Sequence, residues 1–129
     1  MGRFSISILF VLLSPLVSFG QSPIQKARQA LLQKDANAFV LQAHSTLNVR
    51  ILSKEGVYSQ AQAGQLIQSF MKDHPSTSIE IQQVQEKKGQ AHFFIGEYVT
   101  ARQTFRLYVL FKEINGVERV HSFEVQSND

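Results

Sequence analysis

The sequence predicts an α+β fold, an antiparallel sheet packed on N-terminal helices. Two observations carry most of this. From Gln90 to Gln126 nearly every second residue is apolar, the period of strands that bury one face. Upstream, Ala63, Leu66, Ile67, Phe70 and Met71 stand at i, i+3, i+4, i+7 and i+8, the spacing of a helix with one apolar stripe.

In chain order, the first stretch is apolar from Phe4 to Val17 apart from serines and Pro15, follows Arg3, and precedes the small residues Ser18 and Gly20. That is the pattern of a secretory signal peptide, with cleavage expected before Gln21. It is shorter than the ~20 apolar residues that a membrane span needs. Residues 1–20 are therefore assigned to the signal and 21–129 to a single domain, exported to the periplasm or beyond, with no membrane span after cleavage. The chain has no cysteine, so this domain rests on its core alone. A domain of about 110 residues can bury roughly two-thirds of its surface. The formal charge is only +3, Arg3 leaves with the signal, and no basic block remains, which argues against nucleic acid as a partner.

Ser22 and Pro23 suit a helix start, and Ile24, Ala27 and Leu31 share one face, predicting a helix from about Pro23 to Lys34. Asp35 is positioned to cap a short second helix through Ala36, Phe39 and Val40, ending near Ala43; one continuous kinked helix is the alternative. Leu47, Val49 and Ile51 alternate with polar residues, a strand at about Thr46 to Leu52, and Ser53 to Gly56 reads as the turn that ends it. Ser59 with Gln62 forms a capping box for the main helix, which Pro75 ends. Ile79 and Ile81 then open a strand that leads to a turn at Lys88-Gly89.

Three strands follow. A tight turn at Ala101-Arg102 sets Tyr98 opposite Phe105, Phe94 opposite Val109, His92 opposite Phe111 and Glu97 opposite Arg106. Asn115-Gly116 marks the next hairpin. A two-residue turn there would oppose Glu113 to Glu118 and Lys112 to Arg119, and like charges across a ladder repel. A three-residue loop with a bulge at Gly116 instead pairs Lys112 with Glu118, Arg106 with Glu124, Leu107 with Phe123 and Phe105 with Val125, and is the expected register. It puts His92, Phe94, Tyr98, Phe105, Leu107, Val109, Phe111, His121, Phe123 and Val125 on the helix-facing side. Phe93, Ile95, Tyr108, Leu110 and Val120 fall on the outer side, with Glu97, Arg106 and Glu124 as a charged cluster at one end.

The motif Val57-Tyr58-Ser59, Ala63 and Phe70-Met71 around the capped helix, with Ile95-Gly96, Thr100 and the run Phe105 to Val109, resembles the DUF4783 family of small exported bacterial proteins. The order of elements over the whole mature length is similar to the nuclear transport factor 2-like, cystatin-like superfamily. The resemblance implies a cone-shaped sheet on helices, a pocket between them, and frequent homodimers through the outer face. Enzymes of that superfamily typically hold a carboxylate inside the cone.

The candidate pocket residues are His92, Tyr98, Phe105, His121 and Phe70; the candidate interface is Phe93, Ile95, Tyr108, Leu110 and Val120. His92, His121 and Tyr98 are a conceivable acid-base set, but the expected register places no carboxylate on the pocket face. The four histidines, 44, 74, 92 and 121, show no metal-ligand spacing, so neither a metal nor a cofactor is expected. The preferred reading is a non-catalytic exported module that binds a small apolar ligand in the cone or an envelope protein on the sheet, and forms a homodimer. A small enzyme is the alternative.

Overall fold

A computed structural model describes residues 22–85 and 92–128. The expected signal sequence and the expected Lys88-Gly89 turn lie outside those residues. Ser22 caps α1 (Pro23–Leu32) by accepting from the Gln25 amide, and Asp35 caps α2 (Ala36–Val40) by accepting from the Ala38 amide. Between them Lys34 takes φ +59°, and the Asp35 amide closes back on the Ala30 carbonyl at 2.9 Å. That left-handed residue stops the first helix, so the two pieces are separate. The Ser59–Gln62 capping box forms as expected and starts α3 (Gln60–Asp73).

Six strands, β1 (Ala43–Ile51), β2 (Lys54–Ser59), β3 (Ser76–Gln85), β4 (His92–Thr100), β5 (Thr104–Ile114) and β6 (Val117–Ser127), form one curved, unclosed sheet in the order β2-β1-β6-β5-β4-β3. Every neighbouring pair is antiparallel except β1 with β6, which run parallel. The stretch expected as a terminating turn, Ser53 to Gly56, is instead mostly strand β2. The chain reverses at Leu52-Ser53, with Ile51 paired to Lys54. Leu52 carries φ +57° there, a conformation rare for a large side chain, so composition gave no turn signal.

The helices pack on one face of the sheet. Phe39 of α2 meets Phe123 of β6 edge-on at 5.5 Å, and Ile67, Phe70 and Met71 of α3 are buried with Leu47 and Val49 of β1. The β4–β5 register is as the sequence predicts, including Glu97 opposite Arg106 and Gly96 opposite Leu107.

The β5–β6 register is not. The turn has two residues, Asn115 at φ +54° and Gly116 at +80°, with Ile114 opposite Val117. Glu113 therefore does oppose Glu118, and Lys112 opposes Arg119. A bulge at His121 then shifts the ladder, so that Phe111 pairs with Val120 but Leu110 with Ser122. Leu107 meets Val125 rather than Phe123, Phe105 meets Ser127 rather than Val125, and Arg106 meets Gln126 rather than Glu124. The like-charged pairs are tolerated because Lys112 and Glu113 are exposed beside the hairpin tip, where solvent screens them, and because Glu118 has a partner of opposite character in His92.

Candidate functional site

The candidate pocket residues do not converge. Phe70, Tyr98 and Phe105 come together at the α3 end of the cone. Their ring centroids lie 5.3 Å apart for Phe70–Tyr98 and 5.1 Å for Phe70–Phe105, and the His74 ring closes the stack at 4.8 Å from Phe70 and 5.0 Å from Phe105. Tyr98 is 1% exposed and its hydroxyl donates to the His74 carbonyl at 2.5 Å. Burial pushes its pKa up. A phenol so held is a structural anchor. His74 was not singled out from the sequence; its place one residue before Pro75, at the end of α3, is the signal that could have found it.

His92 stands on the same sheet face as Tyr98 but six residues along β4, about 20 Å away. There its Nδ1 donates to a carboxylate oxygen of Glu118 at 2.5 Å, with the two side chains 15% and 27% exposed. The expectation that no carboxylate lies on the helix-facing side is thus overturned, because the two-residue turn rotates Glu118 from the outer face to the inner one. A carboxylate on Nδ1 fixes the imidazole's orientation and leaves Nε2 as the group able to exchange a proton.

His121 is also displaced. As the bulge residue it leaves the inner face and lies on the outer one, where Asn48 donates to its Nε2 at 3.4 Å and the His44 ring stands 6.4 Å away. Its pKa is lowered by desolvation first, then by the charges of Lys112 and His44. Because the folded value lies below the usual 6.5, the unfolded chain takes up this proton more readily. The stability linked to neutral His121 is present above pH 6.5 and is lost as pH falls through that value toward the folded pKa. Urea midpoints are expected to drop over this range, and His121→Gln should flatten the drop. An unchanged slope would exclude His121 as its source.

Val120, assigned from sequence to the outer face, is fully buried on the inner one against Phe111. Phe93, Ile95, Tyr108 and Leu110 do share the outer face, half-buried, in two rows. Val84, Phe93, Leu110 and Ser122 form one, and Gln82, Ile95, Tyr108 and Glu124 the next. Val84 was missed because its strand was read only from Ile79 and Ile81. The expected Glu97–Arg106–Glu124 cluster is broken: Glu124 pairs with Arg50 of β1 at 3.5 Å and accepts from Gln126.

Among the described residues, four surface hollows stand out. The largest, about 510 Å³, lies between His74, Thr100 and Arg102, and one of about 460 Å³ lies on the outer face by Glu80, Gly96 and Arg106. None of the four is lined by His92, Tyr98, Phe105, His121 or Phe70. Among the described residues no group of three or more His, Asp or Glu side chains is placed to hold a metal ion. No described helix is long and apolar enough to cross a membrane.

Residues 24–126 match the family described as a domain of unknown function, DUF4783. The chain belongs to that family. Solved DUF4783 structures share the fold: one from Bacteroides ovatus has 13% identity and a TM-score of 0.71 over 81% of this chain and 94% of its own. Another, from Bacteroides uniformis, has 17% identity and a TM-score of 0.71 over 81% and 96%. A domain of unknown function with a cystatin-like fold from Nostoc punctiforme is similar at 8% identity and a TM-score of 0.60, over 83% of this chain and 74% of its own. The DUF4783 chain thus has the nuclear transport factor 2-like, cystatin-like cone that its sequence implies. No curated protein matches it.

Proposed function

We propose that this DUF4783 protein is an exported, non-catalytic interaction module that self-associates through the outer face of its sheet. The observation that carries this is the apolar patch of Val84, Phe93, Ile95, Tyr108 and Leu110, contributed by three adjacent strands on the face opposite the helices. Contiguous apolar surface of this kind marks a contact site on a soluble protein. The packing of Phe70, His74, Tyr98 and Phe105 favours contact over storage of an apolar ligand, since these rings fill the space a ligand would need. Export rests on the apolar leader from Phe4 to Val17.

Charge favours a second copy as the occupant. Lys112 and Arg119 border the patch at one end; Glu80, Glu97 and Arg106 border it at the other, which is net acidic. A two-fold axis in the interface, perpendicular to the strands, lays the basic end of each copy over the acidic end of its mate. Light scattering should report twice the chain mass, and Leu110→Glu should halve it by burying an unpaired charge at the centre of the patch. A wild-type monomer at micromolar concentration would overturn self-association and leave the patch to an envelope protein.

The second reading, a small enzyme, is supported by the His92–Glu118 pair alone, because the three groups first considered, His92, His121 and Tyr98, are held apart. It predicts a substrate-sized opening at His92 Nε2.

A further inference from the structure

Among the described residues β3 is the last strand of the sheet, and half of its backbone groups have no strand there to pair with. Which half follows from the ladder. The Thr100 amide donates to the Gln103 carbonyl at 2.9 Å, directing Thr100 toward β5. Alternation then turns Val99, Glu97, Ile95 and Phe93 toward β3, and their partners Glu80, Gln82 and Val84 toward β4. The amides and carbonyls of Ile79, Ile81 and Gln83 point out to the open edge.

Edge strands are ordinarily blunted by short length, proline, or lysines within the strand. β3 has ten residues, no proline, no lysine and a single charge, Glu80. Its protection comes from outside. Arg28 Nη2 donates to the Ile81 carbonyl at 3.4 Å, and Lys34 Nζ donates to the Ser76 carbonyl at 3.1 Å. Both belong to α1 and its C-terminal turn, a stretch with Lys26, Arg28 and Lys34 and no acidic residue before Asp35. Among the described residues neither Arg28 nor Lys34 meets a carboxylate. The edge is thus held by two cations that meet no carboxylate among those residues.

We propose that this edge is a docking site for an extended acidic peptide, which adds a seventh strand beside β3 while its carboxylates take Arg28 and Lys34. The peptide's amides replace the two cations as donors to the outward carbonyls, and carboxylates supply the counter-charge that the cations lack. Because β3 bulges between Ser76 and Ser78, Ser76 and Ile81 lie opposite Thr100 and Gly96, four ladder positions or about 14 Å apart, so two acidic side chains four positions apart, both on the helix side, match the two cations. A second copy is the poorer occupant, since pairing β3 with its own image brings two basic α1 stretches together on the same side of the sheet. The site is separate from the outer-face patch, so Leu110→Glu protein should bind the peptide as wild type does.

The test is fluorescence anisotropy with a labelled peptide of about ten residues, alternating valine and threonine and carrying two glutamates. Two controls replace the glutamates by lysine, or N-methylate alternate amides. The glutamate peptide should bind saturably, and both controls should bind at least about tenfold more weakly. Arg28→Glu with Lys34→Glu should reverse the preference toward the lysine peptide; if that protein does not fold, Arg28→Gln with Lys34→Gln should lose about tenfold for the glutamate peptide. Absence of binding by the glutamate peptide would overturn the proposal, as would equal binding of the two charges. Indifference to N-methylation would do the same, reducing the contact to surface charge.

Discussion

Phe105→Ala is expected to cost about 4 kcal/mol of stability, the usual range for emptying a buried aromatic site. Phe105 is 1% exposed and lies within ring contact of Phe70, His74 and Tyr98. Those neighbours cannot readily close the gap: Phe70 and His74 are fixed at the end of α3, and Tyr98 is tied to the His74 carbonyl. Tyr98→Phe, which keeps the ring and orphans that carbonyl, should cost only about 1 kcal/mol. Urea unfolding of the two variants separates these costs. A loss under about 1 kcal/mol for Phe105→Ala would mean that the cone's mouth is hollow. That result would restore the apolar-ligand reading in place of the interaction module.

Gly96→Ala is expected to cost about 3 kcal/mol, at the upper end for overpacking. A Cβ at Gly96 would sit 2.5 Å from the Glu80 carbonyl oxygen, and its next neighbour is Ile81 Cγ1 at 3.4 Å. The first obstacle is backbone of the adjoining strand, which cannot rotate away as a side chain tip can. Relief requires β3 to move off β4. Hydrogen exchange should therefore speed up in β3 more than in β5 or β6. Uniform exchange across the sheet would show that the strain is absorbed elsewhere. The same variant should weaken peptide capture at the β3 edge, because the outward carbonyls of Ser76 and Ile81 would shift relative to α1.

Where sequence reasoning held, the deciding interactions were local. The Ser59–Gln62 box lies within one turn, and the β4–β5 register follows from one tight turn and the alternation of the residues on either side. Where it failed, the deciding interactions were distant. Asn115-Gly116 announces a hairpin, but in the sequence the choice between a two- and a three-residue loop rests on cross-strand charge and apolar pairing. The ladder instead admits the like-charged pairs and shifts one residue later, at His121. That bulge sits where β6 runs beside β1, and β1 is irregular in the same place, between Ala43 opposite Val120 and Asn48 opposite Ser122. Two strands more than seventy residues apart adjust to each other there, and neither segment alone carries a sign of it.

The sequence by itself determined the α+β class, the capped helices, the central β4–β5 pair and most of the residues that form the core, because period, capping chemistry and turn residues act over a few positions. Tertiary structure alone decided the parallel joining of β1 to β6, the bulge beside it and the two-residue form of the Asn115-Gly116 turn, and with these which face Val120, His121 and Glu118 occupy. In a strand, one added residue exchanges the two faces. A turn one residue shorter than expected was therefore enough to bury one expected interface residue and leave Glu118 facing His92, while the bulge beside β1 leaves one expected pocket histidine on the outer face.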